Sequence, residues 1–230
     1  MLKNTKTFVT VIAQQGIRDG KSMLQPVRYS SSENEKLEYR KEGDSEIEEI
    51  RFPITAAING YTDSEDVVKV IAIRSIHDEN LMYNWENFFL PEMEKVREEK
   101  GIEKDRFRIE YIDMETFLGI DATVELFEEL LNKIGDHERL HACITFGTKP
   151  LPMILFAALN YAYKVRVNTG IECILYGNLH AGGAKRQPQI DDMTPLFYTN
   201  ALFTSLAELG EPDPVGRLRK IRSIEWEEEE

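Results

Sequence analysis

One short turn of the sequence, residues 146–149, combines residue types that could bind an anion. It follows an apolar run that contains Thr145, and it precedes a long apolar segment that opens with two prolines. Thr145 and Thr148 offer hydroxyls, Gly147 lets the backbone approach a ligand closely, and Lys149 offers a point charge. The alternative is a strand, a turn and a helix start at which Thr148 only caps the helix.

Two other turns combine glycine with polar side chains, one at residues 14–20 and one at residues 176–180. In an open α/β sheet, ligands bind outside the carboxyl ends of the strands, where helix N-termini favour anions. The turn at residues 14–20 could equally be a plain connection, and the histidine of the last turn fits a pocket-lining donor or an exposed loop residue better than a metal ligand. The candidate ligand-binding residues are Gln14, Gln15, Gly16, Arg18, Thr145, Gly147, Thr148, Lys149, Gly177, Asn178 and His180.

Residues 137–141, HERLH, match the H-E-x-x-H pattern of zinc peptidases. That chemistry needs both histidines on one face of a helix, with the glutamate as general base. Here a helix is predicted to end at Gly135-Asp136, and the residues after the motif continue as a strand. Residues four apart on a strand are too far apart to bind one zinc ion, so we interpret the match as chance. We expect no metal and no cofactor.

The elements that position these turns alternate between apolar β-rich runs and helical patterns. Strands are predicted at residues 5–14, 67–74, 107–113, 139–146 and 171–176, and helices at 80–99, 122–135 and 151–166. This alternation predicts a Rossmann-like α/β fold, with a mostly parallel sheet and helices on both faces.

Residues 15–66 interrupt the alternation with short strand-like runs around polar turns, and a short helix near 54–60. We interpret most of this segment as a β-hairpin insertion after the first strand. A further helix is predicted near 195–209, and residues 211–230 resemble a linker or acidic tail. The predicted domain therefore spans residues 1–210.

Composition limits the classes of function. The net charge of −13 opposes broad contact with a nucleic-acid backbone, although one basic pocket could still bind a small anion. Both cysteines lie in apolar runs and suggest no disulfide or nucleophile. No apolar run is long enough to cross a membrane, and no leader pattern opens the sequence, so a cytoplasmic protein is expected.

The stretch ITFGTKPLPMILFAALNYAYK followed by ECILYG resembles the CRISPR-associated Rossmann-fold (CARF) sensor domains, in the branch with an Asp-x-Thr-His-Gly signature. LQPVRYS and LEYR resemble that branch's hairpin after the first strand, and DDMTPLF resembles its segment after the Tyr-Gly turn. The resemblance covers about residues 5–210. It departs from the signature at two positions, where Cys143 replaces the aspartate and Phe146 replaces the histidine.

The resemblance implies a homodimer whose two-fold axis passes through a pocket for cyclic tetra- or hexa-adenylate, the messenger of type III CRISPR antiviral systems. Thr145, Gly147, Thr148 and Lys149 would then face the phosphates and riboses of the ring. Members of the branch often carry a C-terminal effector, but no arginine here has a histidine at the HEPN ribonuclease spacing. The expectation is a sensor separated from its effector, or a standalone domain.

Two other functions remain open. The first is a metal-independent ring nuclease, in which Lys149 stabilises the developing negative charge while Thr145 and Thr148 orient the phosphate. Because the turn lacks an obvious general base, binding alone ranks above cleavage. The second is a nucleotide-binding α/β domain unrelated to CRISPR defence, since a fold does not fix a function.

Overall fold

A six-stranded sheet forms the centre of the chain in the computed structural model, which describes residues 5–18, 21–41, 43–115, 119–179 and 187–222. Its strands are β1 (Thr5–Val11), β6 (Val67–Arg74), β7 (Phe107–Asp113), β8 (Glu138–Cys143), β9 (Gly170–Asn178) and β10 (Gln189–Asp192). Their order across the sheet is β10-β9-β8-β1-β6-β7. All neighbouring pairs are parallel except β9 and β10, so the predicted mostly parallel sheet is confirmed.

Helices cover the sheet as α1 (Ile54–Tyr61), α2 (Glu79–Asn84), α3 (Leu90–Glu99), α4 (Ile120–Lys133) and α5 (Pro150–Val165), with a π-helical turn at Trp85–Phe89. α1 packs against α3 and β1, whereas α4 packs against α5 and β7. From β1, the next strands of this sheet along the chain, β6 and β7, are added toward one edge of the sheet. The strands that follow β7, namely β8 and β9, are added on the other side of β1, toward the opposite edge. Right-handed crossovers therefore place the two helix groups on opposite faces, as the sequence predicted.

The apolar content of the central strands follows from the burial of both faces of the sheet by helices. β6, with the sequence VVKVIAIR, is buried at seven of its eight positions. A strand covered on both faces has no solvent side, so its apolar residues form a continuous run instead of alternating with polar ones.

The insertion between β1 and α1 contains two small antiparallel ladders. β2 (Ile17–Arg18) pairs with β3 (Lys21–Ser22), and β4 (Val27–Arg28) pairs with β5 (Glu49–Ile50). The hairpin predicted after the first strand is thus present.

The chain divides into two compact units, Met1–Met193 and Thr194–Glu230, so the division precedes the predicted boundary near residue 210. The second unit contains α6 (Thr194–Glu208) and α7 (Pro214–Arg222). α7 lies where the sequence suggested a linker or tail. Among the residues described, no helix combines the length and apolar character needed to span a bilayer.

Candidate functional site

The candidate turns at the carboxyl ends of β1, β8 and β9, called the first, second and third turns, lie at one edge of the sheet because these strands are parallel neighbours. Each strand delivers its carboxyl end, and the turn after it, to that edge. β1 and β8 are adjacent, but the chain leaves them toward opposite sides of the sheet. Such a topological switch point is the usual ligand site of these folds, and we call the region between the ends of β1 and β8 the crevice.

The second and third turns are joined directly by a hydrogen bond. The backbone N–H of Gly177 donates to the hydroxyl oxygen of Thr145 over 2.7 Å, and that oxygen also lies 3.1 Å from the sulfur of Cys143. A side chain at position 177 would put its Cβ 2.5 Å from Cγ of Pro53. Thr145 and Gly177 therefore hold the two turns together, and their first role is structural.

Gly147 occupies a backbone conformation that other residues rarely adopt, with φ of +98°. A Cβ there would lie 2.5 Å from Cδ1 of Leu151 and 3.0 Å from Cγ1 of Val11. The turn after β8 is thus pressed against the end of β1, which closes one side of the crevice. Glycine is required here for both the positive φ and the close packing.

Thr148 and Lys149 are the exposed part of this turn. The N-cap of α5 is Lys149, which makes no side-chain capping bond, and the Thr148 hydroxyl bonds to no other described residue. The capping role considered for Thr148 is therefore absent. Lys149 forms no ion pair within the described part of the chain, so its ammonium is available to an anion.

The N-terminus of α5 offers an anion fewer N–H donors than most helices. Pro150 and Pro152 have no N–H, and the N–H of Leu151 donates to the carbonyl of Thr148 over 3.0 Å. The helix dipole still favours negative charge at this end. Binding of an anion at this end of the helix would therefore depend mainly on the Lys149 side chain.

The first turn is held by Asn84, a residue that the sequence analysis missed. Its Nδ2 donates to the carbonyls of Ala13 and Gln15 over 2.9 and 2.8 Å, and its own side chain is buried. A Cβ at Gly16 would lie 3.1 Å from Oδ1 of Asn80, so this turn packs closely against α2. The available signal was an asparagine flanked by two aromatic residues, Tyr83 and Trp85, in a helical stretch.

The remaining described side chains of the first turn are partly or fully exposed to solvent. Gln14 and Gln15 are half-buried, Arg18 is exposed, and Oε1 of Gln15 is enclosed without a hydrogen-bond partner among the residues described. Asn178 is half-buried at the end of β9. His180 lies outside the described residues.

The two departures from the CARF signature are both buried. Phe146 packs edge-on against Phe52 with ring centroids 5.9 Å apart, and Cys143 is 1% exposed. Burial raises the pKa of the Cys143 thiol, which stays neutral. Neither side chain can act on a ligand in the crevice, because each belongs to the core.

A second feature missed from the sequence lies at the carboxyl ends of β6 and β7. Arg74 pairs with Asp113, with 2.8 Å between Nε and Oδ1. The guanidinium also lies 3.6 Å from the ring centroid of Tyr111 and 4.9 Å from that of Trp85. This stacking fixes a charged pair beside the crevice edge of the sheet.

The H-E-x-x-H match has no zinc-binding geometry, as the sequence analysis concluded. His137 precedes β8 with a positive φ of 60°, whereas Glu138 forms a buried ion pair with Lys69 and accepts from the Thr7 hydroxyl over 2.7 Å. His141 lies in mid-strand, and burial lowers its pKa to about 3. Within the described ranges, no three His, Cys, Asp or Glu residues are grouped to hold a metal.

Fold and site together define a class: a Rossmann-like α/β domain with a polar, partly basic crevice at its switch point. Comparison with known proteins finds no family model that matches the chain and no curated protein that matches it significantly. The function is therefore argued from the site itself.

Proposed function

We propose that this protein is a cyclic oligoadenylate-binding sensor of a type III CRISPR defence system, acting in the cytoplasm on a fused or associated effector. The observation that carries the proposal is the convergence of three polar turns at the switch point, with Thr148 and Lys149 exposed between them. This arrangement matches the part of the sequence that resembles CARF domains.

The chemistry of the crevice suits a phosphodiester ring. Lys149 supplies a cation without an ion pair among the described residues, Thr148 a hydroxyl that bonds to none of them, and the amides of Gln14 and Gln15 offer N–H donors to riboses or bases. A rigid ring needs such groups at fixed positions. The hydrogen bond between Thr145 and Gly177, and the bond that Asn84 donates to the Gln15 carbonyl, keep the turns in one arrangement before the ligand binds.

A homodimer would complete the site. The side chain of Met153, one helical turn after Lys149, is 75% exposed. A single exposed methionine needs no partner, so the dimer rests on the resemblance to CARF domains, and we place Met153 in its interface because this residue lies beside the crevice. Two copies related by a two-fold axis would present two Lys149 side chains to one ring, which matches the symmetry of a cyclic oligoadenylate with an even number of units.

Calorimetric titration with cyclic tetra-adenylate and cyclic hexa-adenylate tests the proposal. Linear hexa-adenylate is the control, because it has the same bases and phosphodiesters without the closed ring. Binding of one ring per two chains, stronger than binding of the linear oligomer, supports the proposal. Absence of heat and of any thermal shift with both rings would reject it, and binding of a mononucleotide instead would favour an unrelated nucleotide-binding domain.

Cleavage of the ring is assayed separately, by chromatography of the products after long incubation. A ring nuclease needs a ribose 2′-hydroxyl activated in line with its phosphate. At the signature position where a histidine could assist, this chain has the buried Phe146. We therefore place binding ahead of cleavage, and linear products would reverse that order.

A further inference from the structure

A second polar cavity, of about 440 Å³, opens at the amino-terminal edge of the sheet. Its wall includes Lys6 near the start of β1, Arg139 near the start of β8, and Tyr61 at the end of α1. The switch-point crevice lies at the other ends of these strands. The cavity is therefore separate from the switch-point site.

His141 forms part of the cavity wall and has an unpaired nitrogen. The imidazole stacks on Phe8 with ring centroids 4.3 Å apart, and the ring of Tyr61 meets it edge-on at 4.8 Å. Its Nδ1 lies 3.4 Å from the carbonyl oxygen of Thr7. Its Nε2 is buried and has no hydrogen-bond partner among the residues that the structure describes.

The Thr7 carbonyl determines what Nε2 can bind. A carbonyl oxygen only accepts, so Nδ1 carries the proton and Nε2 keeps its lone pair. Burial is the main cause of the lowered pKa of the ring; hydrogen bonding to the backbone of Thr7 and Arg139 raises the pKa, the Lys6 and Lys36 ammonium groups lower it, and the net effect keeps the ring neutral. A buried acceptor without a donor is costly, and its natural partner is an O–H or N–H group.

The cations of the cavity differ in their partners. Nζ of Lys6 is 2.7 Å from Oδ2 of Asp66, and Nε of Arg139 is 3.6 Å from Oε1 of Glu172, another wall residue. Lys36 is different: its Nζ lies 5.0 Å from the ring centroid of Tyr61, and it has no ion pair within the described ranges.

Asp63 also lines the cavity, but its Oδ1 already accepts from the N–H of Glu65 over 2.9 Å. Among the described residues, Lys36 is the cation of this wall that is not paired with a carboxylate. The ring of Tyr61 lies against both Lys36 and His141, so the unbalanced charge and the unpaired acceptor are close neighbours.

We propose that this cavity binds a phosphate monoester in its singly protonated form, with the P–OH donating to Nε2 of His141 and a charged oxygen accepting from Lys36. An ionised carboxylate or a sulfate provides the charge but no donor, whereas a protonated phosphate provides both in one group. The cavity exceeds the size of a single phosphate, which leaves room for the esterified alcohol. Because His141 has no exposed surface, this binding requires the Tyr61 ring, which meets the imidazole edge-on, to turn aside.

Imidazole ¹⁵N NMR titrations at about pH 5.5, where phosphate monoesters are largely protonated, test the proposal. The probes are ribose 5-phosphate, inorganic phosphate and sulfate, each added to the Lys149→Ala variant so that the switch-point site does not contribute. The expected result is a saturable shift of the Nε2 resonance of His141 with ribose 5-phosphate. Sulfate at equal ionic strength gives no shift, although it carries the larger charge.

Two variants complete the test. His141→Phe keeps the stacking on Phe8 but removes the acceptor, and Lys36→Gln removes the charge; each is expected to weaken ribose 5-phosphate binding at least about 10-fold. If His141→Phe does not fold, the wild-type resonance remains the readout. Equal responses to sulfate and phosphate, a response to inorganic phosphate alone, no response, or unchanged affinity in His141→Phe would each overturn the proposal. Binding of cyclic oligoadenylate has no bearing on these outcomes.

Discussion

Replacement of Lys149 by alanine is the perturbation that most directly tests the switch-point site. Lys149 is exposed at the start of α5, and its side chain neither caps the helix nor joins an ion pair among the described residues. The variant should therefore keep the wild-type melting temperature. Its affinity for a cyclic oligoadenylate should fall, because the prolines of α5 leave few backbone donors for a phosphate.

The size of the loss follows from the exposure and symmetry of the site. A charge-assisted hydrogen bond contributes about 1.5 to 3 kcal/mol, and solvent screening of an exposed lysine reduces this to about 1 to 1.5 kcal/mol. A two-fold dimer loses two such contacts, or about 2 to 3 kcal/mol in total, which corresponds to about a 30- to 150-fold weaker affinity.

The assay is calorimetry at about 50 and about 200 mM salt, with Lys164→Ala as the matched control. Lys164 is exposed near the other end of α5, about 22 Å away along the helix, so its replacement changes the net charge equally without touching the crevice. Wild type and the control should lose affinity with salt, and Lys149→Ala should lose less. Equal weakening of both variants would attribute the effect to overall charge. Unchanged affinity with a lower melting temperature would show that the turn has only a structural role and that the proposed location of the site is wrong.

Three further predictions concern stability and assembly. Gly147→Ala should cost roughly 1 to 3 kcal/mol more in urea unfolding than Gly43→Ala, because both glycines have positive φ but only Gly147 would bring its Cβ into a clash. The lowered pKa of His141 means that between about pH 6.5 and 3 the unfolded state binds a proton that the folded state does not, so this group's contribution to stability falls as the pH falls through that window. His141→Phe should therefore remove up to about 1.4 kcal/mol per pH unit from the slope of unfolding free energy against pH. An unchanged slope would contradict a buried, neutral imidazole. Met153→Glu should weaken dimerisation, measured by sedimentation, at least about 10-fold. Val165→Glu, at the far end of α5, should leave dimerisation unchanged. Equal effects of the two substitutions would show that Met153 is not part of the interface.

Local pattern was sufficient to predict most of the main elements. β6 and β7 have the predicted bounds, and α5 is displaced by one residue from its predicted position. These elements have a continuous apolar run or a helical period that follows from burial on one or both faces, and this information lies within a few neighbouring residues. The placement of the three turns at one edge also followed, because parallel strands joined by helices deliver all their carboxyl ends to the same side.

The roles of individual side chains depended on partners distant in the chain. Thr145 resembles a ligand-binding hydroxyl in the sequence, but only the pairing of β8 with β9 brings it to the N–H of Gly177. Asn84 resembles an ordinary helix residue until folding sets it beneath the first turn.

The two positions that depart from the CARF signature also show what the sequence determines and what only the tertiary contacts determine. The sequence identified Cys143 and Phe146 as departures, yet it could not show that both lie in the core, because burial depends on Phe52 and other residues brought there by the insertion. His141 appeared in the sequence as half of a false metal motif, and in the fold it is a neutral, buried acceptor. Residue type and spacing determined the elements and their order, whereas the tertiary contacts determined which polar atoms are satisfied and which remain free to bind.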